Sequence, residues 1–424
     1  MTRQPPPETS DLRATARRII NALFIGQSLF SAAFIAAFTL SPIIASTLAA
    51  NEQAAGLPST VTLISRALMA YPIGWLMDRW GRRSGLSLGF VLGTLGAFVS
   101  VAAIVNGSLW GFLAGAALMG MMRAGADQAR YVAAEVQPPA EQARAIGLVV
   151  FAGTIGSIGG PLLVGPTSRL AAAWGLPENA GPFLAATLLF ALGLLITFLL
   201  LRPDPLQIGR QIAAAYPLPD LADQSDRQAR PLLEIFRGGR AQLAVLSMAI
   251  SQFIMSLLMV ITPVHMSHFD HSREAISGVI MAHTLGMFGL SSVTGWLIER
   301  FGQFAIIACG TLLLLLSSLI APISPQIVPL VVALFLLGLG WNFCYIAGSS
   351  LLASQLAPAE RGRTQGASET VVGLMGGAAS LSSGLIFAGG GIRLVSSIGL
   401  GFGLLLLTLT IWRILSPRTT HLPA

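Results

Sequence analysis

The chain contains no lysine: all 25 of its basic residues are arginine. Without lysine there is neither the phosphate-gripping residue of a Walker A loop nor an amine for Schiff-base chemistry, so both kinds of work are excluded. Charge is scarce at 10% of 424 residues, where a soluble protein carries roughly a quarter. Only two cysteines occur, Cys309 and Cys344, both inside apolar runs; they form no external staple and read as buried packing residues. Metal ligands are thin as well: His265, His268 and His271 share one predicted outer loop with no cysteine nearby, so no metal and no cofactor is expected. No nucleic-acid motif is present.

What the chain does have is apolar residues, 54% of the total, with a mean hydropathy of +0.74. Lipid supplies no hydrogen-bond partners, so the spanning parts must be helices or a closed barrel. The runs are roughly 20 residues long and lack the period-2 alternation of a barrel, which predicts helices. Twelve are expected, at about 19–40, 59–77, 84–105, 109–131, 145–165, 182–201, 241–264, 276–298, 304–323, 328–350, 364–388 and 394–415. The fold class is therefore an all-α membrane protein with two six-helix bundles, 19–201 and 241–415. A polar central loop at 202–240, rich in arginine, aspartate and proline, joins them, and short tails at 1–18 and 416–424 flank them.

Placing the arginines on alternate sides of twelve spans puts about 18 with the N-terminus and only Arg169, Arg273 and Arg393 opposite. Both termini are then expected in the cytoplasm, with the chain in a cell's inner membrane. The net charge of +7 follows from this basic rim and gives no reason to expect a nucleic-acid partner. Arg3, Arg13, Arg17 and Arg18 precede an apolar segment too long for a signal-peptide core, so that segment is the first span.

The chain also repeats itself. GWLMDRWGRR at Gly74 to Arg83 returns as GWLIERFGQF at Gly295 to Phe304, an offset of 295 − 74 = 221. PPAEQARAIG at Pro138 to Gly147 returns as APAERGRTQG at Ala357 to Gly366, an offset of 357 − 138 = 219. Two registers that agree within two residues mark a tandem duplication in the membrane. Gly74 permits close helix packing, and Asp78 at a helix end can accept hydrogen bonds from the N-terminus of a neighbouring helix, forming a charged latch with Arg79, Gly81, Arg82 and Arg83. The second copy keeps Gly295, Glu299, Arg300 and Gly302, but Gln303 and Phe304 replace two arginines, which predicts a weaker latch.

The first copy resembles the G-x-x-x-D-R-x-G-R-R signature that members of the major facilitator superfamily carry after their second helix. The resemblance implies a secondary carrier and not an enzyme, working by alternating access as a functional monomer, with these residues gating the cytoplasmic side. Glu135, Pro138 and Arg144 look like the family's charge cluster at the end of the fourth helix, again a gating element. Gly147, Gly156, Gly160 and Pro161 are similar to part of the fifth-helix pattern of drug-and-proton antiporters, which favours export. They also serve as a glycine-rich packing face. The family's fourth-helix arginine within R-x-x-x-G has a counterpart in Arg123, although Asp127 stands where the glycine would be.

Ionisable residues deep in a span are functional candidates because each costs several kcal/mol unless paired or wetted. Arg66 lies about 18 Å from the latch along its helix. Arg123, Asp127 and Arg130 share one face of the fourth span, where they either pair along the helix or line a cavity that attracts anions and exchanges a proton. In the second half, Trp341 and Tyr345 are four residues apart and can stack a flat ring or simply pack, with Asn342 beside them. Asn342 aligns with Arg123 at offset 219, so both are expected in the cavity. His283 either titrates in proton coupling or is hydrogen-bonded in the bundle. Glu369, two turns into its helix, is assigned to the inner gate, and Gln27, Ser31 and Gln252 are lesser contacts.

These residues predict a proton-driven carrier of a small, planar or anionic organic solute, with export slightly favoured. Uptake of a flat nutrient such as a riboflavin-like vitamin is the nearest rival. A non-transporting receptor or scaffold is the alternative from another class.

Overall fold

The computed structural model describes residues 7–51, 54, 56–216 and 230–415, and among these no strand occurs. Residues 1–6 and 416–424 of the expected tails, and 217–229 of the central loop, lie outside the described residues. The first half comprises α1 (Pro7–Ala49), α2 (Leu57–Trp80), α3 (Arg82–Val105), α4 (Leu109–Glu135), α5 (Gln142–Ala173) and α6 (Gly181–Leu200). The linker supplies α7 (Pro205–Ala215) and α8 (Leu232–Arg237). Then come α9 (Gly239–Ser267), α10 (Arg273–Thr284), a π-helical turn (Leu285–Gly289), α11 (Ser291–Phe301), α12 (Gln303–Ile320), α13 (Ile327–Ala353) and α14 (Arg361–Leu415).

Among the described residues these helices make up twelve spans, though the two do not coincide one to one. The eighth span is α10 and α11 joined through the π turn, a wide turn that breaks the helix into short pieces. Spans eleven and twelve run together as α14, which changes direction at Gly390 and at Gly391, where φ is +61°. Gly81 and Gly302 make equivalent tight reversals after α2 and α11 with φ of +93° and +85°, a backbone that only glycine adopts without strain. One residue of the repeated motif thus does one geometric task twice.

Each half has its own apolar core. That of the first half is in two clusters, one around Ile19 and Ile73 and one around Phe112 and Phe190, and that of the second is built around Met248, Ile307, Leu334 and Leu337. Between halves, α2 packs on α14 and α5 on α11. The crossings use the motif glycines: a side chain on Gly74 would collide with the Gly362 carbonyl, one on Gly366 with that of Ala70, one on Gly147 with that of Ser291, and one on Gly295 with Ala143. At this end the two halves are in backbone contact.

The linker is docked at both ends. Asp204 caps α7 at Leu206 N (2.9 Å) and also accepts from Arg82 N (3.0 Å) and Arg83 N (3.1 Å) at the start of α3. Leu206, Ile208 and Ile212 bury one face of α7 on the first half, and Gly209 lies against Glu135. At the other end Arg230 grips Glu360 through Nη2 (2.8 Å) and Nε (2.8 Å), just before α14 begins. Cys344 is buried as expected, whereas Cys309 is exposed on the outer face of α12, which in a membrane is simply a lipid-facing position.

Candidate functional site

A cavity of about 410 Å³ lies between the halves, beyond the backbone crossings. Gln27, Ser31, Arg66, Arg123, Asp127, Arg130, Gln252, Trp341 and Tyr345 line it. Its charges form one cluster. Arg66 Nε pairs with Asp127 Oδ2 at 2.7 Å, and Arg66 Nη2 reaches Glu369 Oε2 at 3.4 Å. Arg130 Nη2 pairs with Glu369 Oε1 at 2.5 Å, while its Nε donates to Ser349 Oγ at 3.0 Å. Residues 130 and 349 are themselves 219 apart, so this contact marks the pseudo-twofold axis.

Three arginines thus face two carboxylates, and 3 − 2 leaves one positive charge. The unmatched one is Arg123. Its guanidinium lies 5.1 Å from the centre of the Phe34 ring, and among the described residues no carboxylate is within ion-pairing reach of it. Asp127, which the sequence pairs with Arg123 or Arg130 along α4, is drawn instead to Arg66 across on α2. Only its backbone carbonyl meets Arg130, at 2.5 Å.

Aromatic rings form two walls. On the second half, Trp341 and Tyr345 stack with centroids 4.4 Å apart and Phe288 meets Trp341 edge-on at 6.1 Å. Trp341 Nε1 donates to Gln252 Oε1 at 3.0 Å, and the Arg130 guanidinium lies 4.1 Å from the Tyr345 ring. On the first half, Phe30, Phe34 and Phe38 form a ladder with spacings of 5.5 and 5.4 Å. This ladder went unread in the sequence, although its four-residue spacing on one helix face was legible. Phe288 was missed because it is aimed by the π turn, which no periodicity announces, and rests on Gly153 of α5.

Three expectations need correction. Asn342 is fully buried outside the cavity, where it donates to the Met287 carbonyl (2.5 Å) and Ser291 Oγ (2.6 Å) and accepts from Thr294 Oγ1 (2.6 Å). It shares a register with Arg123 but is too short to reach past the π turn that consumes it. His283 also lies off the cavity, its Nδ1 against the Leu334 carbonyl at 2.9 Å. Glu369, assigned to the gate alone, is 1% exposed and bonded to two of the three cavity arginines, Arg66 and Arg130. The cluster runs along the membrane depth: Arg130 is five residues from the end of α4, about 8 Å, whereas Arg66 stands 80 − 66 = 14 residues from the end of α2, about 21 Å.

At the latch, Asp78 accepts from Gly362 N (2.8 Å) and Arg363 N (2.7 Å), the free donors that open α14, and pairs with Arg82 at 2.7 Å. Arg82, 1% exposed, also binds Glu135 at 2.7 Å and the Pro358 carbonyl at 3.1 Å, and Arg361 approaches Glu135 at 3.8 Å. The second copy repeats the pattern with fewer bonds. Glu299 accepts from Arg144 N (3.0 Å) and its Nη2 (2.9 Å), while Gln303 turns to Ser350 (3.1 Å). Arg79 and Arg300 take no part: each is exposed and lies over a tryptophan of its own helix, Trp75 or Trp296. Arg83 enters only through its backbone N, which Asp204 holds. Gly156 and Gly160 seat α5 against Ser31 and Ile35 of α1, and Pro161 is exposed.

Comparison with known proteins agrees with this architecture. The family model for the Major Facilitator Superfamily matches residues 23–245 and 243–424, one match per half. An uncharacterized MFS-type transporter of Bacillus subtilis, YdeG, is 36% identical over 399 residues, covering 93% of this chain and 92% of that one. The riboflavin transporter RfnT of Brucella anthropi is 30% identical over 359 residues, covering 84% and 86%. Among solved structures, the human organic anion transporter MFSD10 superposes with a TM-score of 0.76 at 19% identity over 96% of this chain and all of that one (100%). The proton:xylose symporter XylE gives 0.75 at 15% identity over 95% and 96%. The chain belongs to the major facilitator superfamily and is a multi-pass membrane transporter, not an enzyme.

Proposed function

We propose that the protein carries a planar organic solute with an anionic or electron-rich edge, a flavin-like compound being the first to test, by alternating access coupled to protons. The observation that carries this reading is Arg123, a guanidinium left without a carboxylate inside a cavity walled by aromatic rings. A ring system slid between the Phe34 side and the Trp341 and Tyr345 side gains stacking on both faces, and its carbonyl or acidic edge meets Arg123. A cavity of about 410 Å³ falls within the range of small-molecule sites, ~300–1,000 Å³. The similarity to a riboflavin transporter supports the same solute class.

Glu369 is the group that exchanges the proton. As a carboxylate it ties α14 of the second half to Arg66 and Arg130 of the first; protonated, it loses both ion pairs and frees the halves to rock. Asp78 and Glu299 then act as the gate, facing the cytoplasm as the arginine distribution supports.

Purified protein in liposomes, given labelled riboflavin and a non-planar control under an imposed pH gradient, tests the reading. Gradient-driven accumulation of the planar compound, lost in Arg123→Ala, is expected. Flux of neither compound sinks the solute assignment, and no flux of any solute in a wider panel would favour a receptor. Reversing the gradient separates uptake from efflux by antiport, the direction that the fifth-span glycines favour.

A further inference from the structure

Three arginines at the membrane boundary are gathered with no carboxylate paired to any of their guanidiniums among the described residues. Phe198, at the end of α6, is 47% exposed on the outer, lipid-facing side of the bundle. Two guanidiniums lie over its ring: Arg83, from the first turn of α3, at 5.0 Å from the centroid, and Arg202, just beyond α6, at 5.2 Å. Arg18 of α1 donates from Nη2 to the Arg202 carbonyl, which brings a third cationic side chain to the same corner.

The nearest acid is occupied. Asp204 spends its carboxylate on the backbone N–H groups of Arg82, Arg83 and Leu206 at 3.0, 3.1 and 2.9 Å. No ion pair among the described residues joins Arg18, Arg83 or Arg202 to a carboxylate. The contrast with adjacent Arg82 is sharp, since that side chain has two carboxylate partners. Elsewhere on the rim each ring holds a single arginine: Arg79 lies over Trp75, Arg413 over Trp412, and Arg300 over both Trp296 and Phe301. Here two cations share a single ring, and the carboxylate beside them, Asp204, is turned to backbone N–H groups and not to either guanidinium, which leaves both forks of donors open to an anion.

We propose that Arg18, Arg83 and Arg202 around Phe198 bind the phosphate of an anionic phospholipid in the leaflet on the latch side. Guanidiniums suit a phosphodiester because their fork of donors matches its oxygens, and the exposed ring offers the apolar surface that the lipid's glycerol and chain region needs. Free phosphate shares the headgroup chemistry but not the apolar contact. The site is adjacent to the gate: Arg83 follows Arg82 directly, so a lipid held there steadies the start of α3 against Asp204.

The test is native mass spectrometry of the purified full chain titrated with phosphatidylglycerol, and separately with phosphatidylcholine. Preferential retention of phosphatidylglycerol is expected, with affinity falling about tenfold or more in the Arg83→Gln, Arg202→Gln double variant. A second double variant, Arg300→Gln with Arg413→Gln, removes the same charge from rings that hold one arginine each and is expected to stay within about twofold of wild type. Phe198→Leu, which keeps the charges and an apolar side chain, provides a milder test and is expected to weaken phosphatidylglycerol severalfold. Equal losses in the two double variants reduce the site to general rim charge and overturn the proposal. So does equal retention of the two lipids, or displacement of phosphatidylglycerol by inorganic phosphate at equal concentration.

Discussion

The two halves descend from one repeat yet meet the cavity with different chemistry. Met287 stands at the register of Arg66, 287 − 66 = 221, and Asn342 at that of Arg123, 342 − 123 = 219. Where the first half has continuous helix and long cations, the second has a π turn held by Asn342 and pushes a ring, Phe288, inward. Symmetry survives in the latch and is lost in the cavity. The lesson is that duplication conserves what both halves must do, opening and closing, and releases what only the pair must do, holding one asymmetric solute.

The largest test of that division is Glu369, whose register mate at 369 − 219 = 150 is Val150, an apolar cavity residue. At this register acid occurs on one side only, and Glu369→Gln strips Arg66 and Arg130 of a partner at once. Breaking a buried pair this way costs about 3–5 kcal/mol. We expect gradient-driven accumulation to fall by at least a hundredfold while solute exchange at equal pH persists. Undiminished accumulation would remove Glu369 from the coupling step.

Arg123→Ala comes next. Loss of a charged contact and a cation–π contact is worth about 2–3 kcal/mol, which converts to a roughly 30- to 150-fold weaker affinity for the planar solute. Quenching of Trp341 fluorescence during titration reads this directly. Asn342→Ala, at the same register, is expected to act differently: by unseating the π turn it changes maximal rate and affinity together. If the two variants behave alike, the asymmetry of the halves is not functional.

Much of this was legible beforehand. Composition and run length gave the helical membrane class, and two short motifs with offsets of 221 and 219 gave the two halves. Arg66, Arg123, Asp127, Gln27, Gln252, Trp341 and Tyr345 do line one cavity. What sequence could not carry was which partner each charge takes. Asp127 is four residues from Arg123 and three from Arg130, yet the nearer choice is on α2, because helix faces in a bundle meet across and not along. Depth misled for Glu369 for a related reason: counting turns from a helix start takes no account of how far arginine side chains on other helices, here Arg66 and Arg130, extend toward it.

A smaller effect compares the two latches. Asp78 caps two helix donors and pairs with an arginine that is 1% exposed, whereas Glu299 relies on Arg144, whose side chain is 58% exposed and solvent-screened. Asp78→Asn is expected to change the rate of solute exchange about tenfold with affinity intact, and Glu299→Gln no more than about threefold. Equal rate changes, or a large affinity loss at Asp78, would contradict a remote gate.

The smallest effect concerns the linker, whose two ends are fixed by opposite means: a carboxylate, Asp204, on helix donors of the first half, and a guanidinium, Arg230, on a carboxylate of the second. Burial pushes the Glu360 carboxyl up, but hydrogen bonds from the Arg230 side chain and backbone and from Ala357 N outweigh it and hold the group below its ordinary value. A lowered carboxylate contributes its stabilisation in full above the unfolded value, about 4.3, and loses it as the pH falls through the lower folded value. Acidification through that window should therefore free the Arg230 end, read as a loss of hydrogen-exchange protection at residues 230–237 relative to the intrinsic rate at each pH. In Glu360→Gln, which cannot ionise, protection there should be low already at neutral pH and should not fall further on acidification. A variant that kept the wild-type pH profile would show that the clamp is not what holds the second-half end of the linker.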